Sequence, residues 1–330
     1  MNKLTKVVKI MKSRGKFVPL LAEILITHRC NANCVYCYGS FPSSQTNDMP
    51  LPKLKSIIDE LNSLGCIEIS LGGGEPLVRP DIDEIVDYIK NKDIKVRVTT
   101  NGLLIKDKLE TLKKVDTIVL SLDGDPEFNN KLKQIKGSEN IINNVELLKK
   151  HKKNLRINTT ITQPGIQQLD FIENLCKRFN IPLKINILYD TGFNYPDNLT
   201  ITDYNSLIKR LKSMKKRINL IISNKALDKF ARWSKTNPKL FKIEEIKKRK
   251  NKYCGKNLIL IDVDGWVYPC CLQSPKDANC FNEPIVNCMK KVEKNNFCND
   301  CAHFGFEDFN QTFNLDPATI IESFKNFKYY

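Results

Sequence analysis

No stretch of about eighteen or more apolar residues, the length a membrane-crossing helix needs, occurs in this 330-residue chain. The best candidate, Val18 to Ile26, is interrupted by Glu23. Histidine is nearly missing, and His28, His151 and His303 stand isolated with no assigned role. No acidic residue precedes Glu23, yet the basic N-terminus lacks the apolar run and small-residue cleavage site of a secretory signal. Internal repeats are absent too. These absences predict a cytoplasmic chain. An apolar share of 41% and a charged share of 27% are ordinary for a globular protein, and the length suggests two domains.

Cysteine is what the chain has in excess, with twelve residues. Cytosolic thiols stay reduced, so metal ligation is the usual reason for such a count, and thiolates favour zinc, cuprous copper or iron–sulfur clusters. Three of them fall between residues 30 and 37, and seven between 254 and 301. Cys66 and Cys176 lie within apolar patterns and are expected to be inert buried thiols.

Short β-branched segments alternate with helical patterns. Ala22–Thr27, Cys66–Leu71, Ile94–Thr100, Val115–Ser121, Leu155–Ile161 and Leu183–Tyr189 read as buried parallel strands. Helices are predicted over Leu51–Leu64, Asp81–Lys90, Ile105–Lys113, Asn140–Lys150, Gln167–Phe179 and Thr202–Lys216, the last capped by Thr202. Six β/α units in sequence predict an α/β fold with right-handed crossovers, short of the eight units of a closed barrel. Near Cys254 the pattern changes: Asn257–Val263 and Trp266–Pro269 flank Asp264-Gly265, a two-residue hairpin signal. The predicted division is a basic segment 1–19, a core 20–220, a lysine-rich helical linker 221–252 and a small cysteine-rich domain 253–330.

Cys30-Asn-Ala-Asn-Cys34-Val-Tyr-Cys37 follows the first strand, at the end where parallel β/α folds place their chemistry. Three cysteines so close can point at one metal centre, and a three-ligand set leaves a position open for substrate or cofactor. Structural zinc with a distant fourth ligand and redox thiols are the alternatives. The Cys-x3-Cys-x2-Cys spacing, with Tyr36 before the last cysteine, resembles the radical S-adenosylmethionine (SAM) superfamily. Gly73-Gly74-Glu75-Pro76, Thr100-Asn101-Gly102 and Ser121-Leu122-Asp123-Gly124, after successive strands, support the resemblance over roughly residues 20 to 220. It implies a partial (β/α)6 barrel and a 4Fe–4S cluster on Cys30, Cys34 and Cys37 that binds SAM. Gly73, Gly74 and Glu75 would meet the amino group of that cofactor, Ser121 and Asp123 would lie near its ribose or carboxylate, and Tyr36 would flank the adenine. In the family, the reduced cluster cleaves SAM to a 5′-deoxyadenosyl radical, which takes hydrogen from the substrate.

Cys254, Gly265, Cys270, Cys298 and Cys301 resemble the frame of a shortened SPASM or "twitch" domain. The resemblance implies a second, auxiliary 4Fe–4S cluster on the four cysteines, with structural zinc as the alternative and Cys280 and Cys288 as other candidate ligands. Cys271 adjoins Cys270, and strand neighbours point to opposite faces, so one thiol is left over. It is either buried and inert or a hydrogen-atom donor, as in the radical peptide epimerases that the Pro-Cys-Cys segment resembles.

From Lys209 to Lys252 the net charge is +14. This is a set of solvated helix faces or a surface for an acidic partner. Leu4, Val7, Val8 and Met11 fall at helical spacing among lysines, a stripe that packs on its own domain or touches a membrane surface. The leading expectation is an enzyme that epimerises or crosslinks a ribosomally made peptide, fed by a low-potential donor such as a flavodoxin or ferredoxin. Radical modification of a lipid or small metabolite at a membrane surface, and an iron–sulfur electron carrier, are the alternatives. No nucleic acid partner is expected.

Overall fold

The computed structural model describes residues 12–13, 16–37, 39, 48–151, 153–188, 196–236, 253–271 and 276–295. The N-terminal stripe through Met11, the basic stretch 237–252, Cys298 and Cys301 lie outside the described residues. The chain divides into two compact units.

The first unit comprises residues 1–33, 39–118 and 252–297. Its strands are β1 (Leu21–Thr27), β2 (Glu68–Gly73), β3 (Lys95–Thr100), β7 (Leu258–Ile261) and β8 (Val267–Tyr268), in the order β3-β2-β1-β7-β8. β1 pairs parallel with both β2 and β7, and β7 pairs antiparallel with β8. The cysteine-rich hairpin is therefore continuous with the first β/α strands. Asn257, fully buried, reinforces that junction: its backbone oxygen accepts from Leu21 N, and its side-chain nitrogen donates to Val18 O at 2.8 Å.

Helices α1 (Leu51–Ser63), α2 (Ile82–Lys90), α3 (Leu109–Lys114) and α9 (Ile285–Lys294) belong to the same unit. In α2 the apolar residues Ile82, Ile85, Val86 and Ile89 recur at helical spacing and are all fully buried. Each contributes about 1.5–3 kcal/mol relative to exposure.

The second unit comprises residues 34–38, 119–251 and 298–330. β4 (Thr117–Ser121), β5 (Leu155–Ile161) and β6 (Leu183–Ile187) are hydrogen-bonded in the order β6-β5-β4, with β5 and β6 parallel. The helices are α4 (Pro126–Lys133), α5 (Glu139–Lys150), α6 (Leu169–Phe179), α7 (Tyr204–Lys215) and α8 (Asn224–Thr236).

Six parallel β/α repeats are present, as the α/β fold class requires, but three details depart from expectation. β5 and β6 are not buried on both faces: Asn158, Thr160, Lys184 and Asn186 form a half-buried polar face, alternating with buried Ile157, Thr159, Ile161, Ile185 and Ile187. Asp203, not Thr202, caps α7, because its carboxylate reaches Ser206 N at 3.0 Å. The hairpin loop has three residues, not two. Asp262 N donates to Trp266 O, Gly265 takes the left-handed conformation at φ +84°, and Asp262 Oδ1 binds the Asp264 and Trp266 amides.

Candidate active site

The first cysteine loop begins as β1 ends, and a set of hydrogen bonds inside the first unit holds its start. Gly74 N donates to Thr27 O and Glu75 N to Arg29 O, both at 2.9 Å. Asn101 Nδ2 donates to Asn31 Oδ1 at 2.7 Å. Thr27 Oγ1 donates to Asp48, which also pairs with Arg29. A Cβ on Gly73 would meet Thr27 O at 2.1 Å, and one on Gly74 would meet Arg29 O at 2.3 Å. The glycines therefore allow the end of β2 to lie directly against the backbone that leads into Cys30.

Glu75 is 1% exposed. Its Oε1 accepts from Leu77 N at 3.1 Å and its Oε2 from Asn101 N at 2.7 Å. The carboxylate thus locks the turn after β2 to the turn after β3. A binding role toward a cofactor amine would be added to this structural one.

Cys34 and Cys37 belong to the second unit, where Cys37 N donates to Cys34 O at 3.1 Å and closes a tight turn. Val35 N donates to Leu132 O at 3.0 Å, and Val35 and Tyr36 pack against Leu132, Leu188 and Leu199. The Tyr36 hydroxyl donates to Asp123 Oδ2. Burial, reinforced by the Asp123 carboxylate and the Cys34 and Cys37 sulfurs, raises the phenol well above the ordinary tyrosine range. Asp123 is 2% exposed and accepts the Thr160 amide at 2.7 Å through Oδ1. Its own amide donates to Asn129 Oδ1. Ser121 O accepts from the buried Lys133 ammonium at 2.5 Å.

Cys30, Cys34 and Cys37 are reduced and half-buried. Among the described residues, no three histidine, cysteine or acidic side chains converge into a ready-made metal cage. The donor chemistry fits an iron–sulfur cubane: three thiols in one short loop can ligate three irons and leave the fourth open. Cys254 is half-buried and bridges to Leu258, while Cys270 is buried just past β8. Cys271, in the following turn, is half-buried. Burial pushes the Cys288 thiol up to about 12, and burial together with the nearby Cys288 pushes Cys280 up further. Cys66 and Cys176 are buried thiols held up at about 12, as their apolar patterns predict. Asn31, Asn129, Lys133 and Thr160 carry much of this architecture, and nothing in the sequence singles them out; Asn101 belongs to the Thr100-Asn101-Gly102 motif. Asp125-Pro126, a cap followed by a first-turn proline, would have announced α4.

A family model described as the radical SAM superfamily matches residues 24–176, from β1 into α6. Residues 24–176 of this chain therefore carry a radical SAM domain. Such a domain implies a 4Fe–4S cluster and SAM. The mycofactocin maturase MftC of Mycobacterium tuberculosis is 30% identical over 184 residues, 54% of this chain and 47% of the maturase. The chain thus spans about half the length of the first curated relatives it matches. The AdoMet-dependent heme synthase of Methanosarcina barkeri is 27% identical over 290 residues, 83% of each chain. Among solved structures, Streptococcus suis SuiB bound to S-adenosylmethionine aligns with a TM-score of 0.66 at 21% identity, covering 86% of this chain and 68% of SuiB. The likeness shows the fold. No helix among the described residues is long and apolar enough to cross a membrane.

Proposed function

We propose that this chain is a radical SAM enzyme that modifies a ribosomally made peptide, by epimerisation or crosslinking. Cys30, Cys34 and Cys37 would hold the SAM-binding cluster, and Cys254, Cys270, Cys298 and Cys301 an auxiliary cluster within residues 253–330. Held by Cys30, Cys34 and Cys37, the cluster would supply the reducing electron for cleavage of SAM, and with it the means to take hydrogen from the substrate.

This chain's residues orient and shield that chemistry. Gly73, Gly74 and Glu75 bring a buried carboxylate turn against the loop that carries Cys30, suited to an ammonium group. Asp123 and Ser121 mark the polar end of β4, and Tyr36 stands between two of the ligands. The observation that carries the reading is the cysteine loop itself, clamped at its start to the Gly-Gly-Glu turn and, through Asn31, to Asn101. Solved SuiB bound to its precursor peptide SuiA and the mycofactocin maturase support a peptide substrate. A low-potential flavodoxin or ferredoxin would deliver the electron.

A small-molecule substrate is the second reading, favoured by the heme synthase relative, which aligns over most of both chains. Anaerobic reconstitution is expected to give about eight iron atoms per chain, two cubanes. The triple variant Cys30→Ala, Cys34→Ala, Cys37→Ala is expected to lose half of them and all 5′-deoxyadenosine formation. A triple variant that still cleaves SAM would refute the cluster assignment. Wild-type protein that holds both clusters without cleaving SAM would be an electron carrier.

A further inference from the structure

Lys133 is an unusual residue. At 1% exposure it is buried as deeply as the core leucines, at the last position of α4. Lysine is almost never fully buried unless it is paired. Its Nζ donates to Ser121 O at 2.5 Å and lies 3.4 Å from Asp123 Oδ2. That carboxylate is itself 2% exposed, and it accepts from the Thr160 amide and the Tyr36 hydroxyl. A hydrophobic side chain at this position would spare the desolvation of a buried ion pair, so a role limited to filling the core does not account for the charge.

What the charge serves is visible in its neighbours. Tyr36 lies between Cys34 and Cys37, and Val35 N of the same turn donates to Leu132 O, the residue before Lys133. The final turn of α4 therefore holds the ligand turn twice, once through the backbone and once through Lys133, Asp123 and Tyr36. We propose that Lys133 is a positioning residue, a buried cation that fixes Asp123 and through it holds the Cys34–Cys37 turn in the geometry that binds iron. The inference rests on the reading that these cysteines ligate the cluster.

The test uses the full chain, reconstituted anaerobically, and reads the rate of iron loss to a chelator together with the electron paramagnetic resonance spectrum of the reduced cluster. Far-UV circular dichroism and the urea midpoint control for folding. K133M is expected to lose iron about tenfold faster, the scale of a lost charge-assisted hydrogen bond. K133R, which keeps the cation, is expected to restore most of the retention. On a Y36F background K133M is expected to add nothing further, because the tether is already cut. If K133M does not fold, K133M/D123N removes both buried charges, and it too is expected to lose iron faster than wild type. Wild-type iron retention in a folded Lys133 variant, or an effect that adds in full to Y36F, would assign Lys133 to core packing and overturn the proposal. If the triple cysteine variant retains all its iron, the cluster reading fails, whatever Lys133 does.

Discussion

Gly74→Ala tests the contact between the end of β2 and the cysteine loop. The added methyl would sit 2.3 Å from Arg29 O, 2.7 Å from its carbonyl carbon and 2.8 Å from His28 O, where ordinary contact begins near 3.4 Å. All three atoms are backbone, so no rotamer can relieve the overlap. The strand end and the loop must separate by roughly 1 Å. That stretches the Gly74 N–Thr27 O and Glu75 N–Arg29 O bonds, both 2.9 Å, out of hydrogen-bonding range. Each bond is worth about 1 kcal/mol net, and a buried group left unsatisfied costs about 1–3 kcal/mol. A loss of about 2–4 kcal/mol is expected, a large part of the ~5–15 kcal/mol that holds a typical domain folded. Gly72→Ala is the control. Its methyl meets only the Glu23 and Leu25 side chains, at 3.4 and 3.5 Å, and should cost less than about 1 kcal/mol. Urea unfolding of the cluster-free chain, followed by far-UV circular dichroism, measures both. Equal losses at the two positions, or less than about 1 kcal/mol at Gly74, would refute the backbone-clash reasoning.

Changing Cys271 to alanine is expected to leave iron content and SAM cleavage intact. If the thiol donates hydrogen, wild type in deuterated water should place solvent deuterium in the product while the variant stalls; loss of one cluster's iron would instead make Cys271 a ligand. The Arg217 fork on Glu173, with Nε–Oε1 at 2.5 Å and Nη2–Oε2 at 2.8 Å, aided by Lys177, holds that carboxylate down at about 2. Because the folded value lies below the unfolded one, this contribution is complete above about 4.5 and is lost as pH falls toward 2. The urea-midpoint gap between wild type and Glu173→Gln should therefore narrow with acidification; a constant gap would contradict the pairing. If the basic stretch 209–252 docks an acidic leader peptide, binding should weaken steeply as salt rises past physiological strength, whereas salt-independent binding would favour solvated helix faces.

Much of the fold is legible because it is local. Short β-branched runs mark all six strands of the β/α repeats, Leu155–Ile161 to the residue, and the period-3.6 pattern marks α1, α2, α5 and α6 within a residue or two at each end. Spacing alone exposed Cys30, Cys34 and Cys37, since ligands eight residues apart or fewer need no distant chain to bring them near one another. α4 was missed because only eight mostly polar residues carry it, and its Asp125-Pro126 start was the available signal. Thr202 and Asp203 are adjacent cap candidates, and backbone geometry at the helix entry chose between them.

The sequence by itself determined the β/α order, the cysteine loop after β1 and the glycine turns, because each is written in contiguous residues. Only the tertiary structure decided what those glycines face and which polar side chains are buried together. Asn31 meets Asn101 across 70 residues, and Thr160 meets Asp123 across 37. β7 inserts beside β1 from more than two hundred residues away. Lys133 looks like any other lysine of a basic chain until helix α4 folds its ammonium against Ser121 and Asp123, a partnership set by packing and not by anything in the residues beside it.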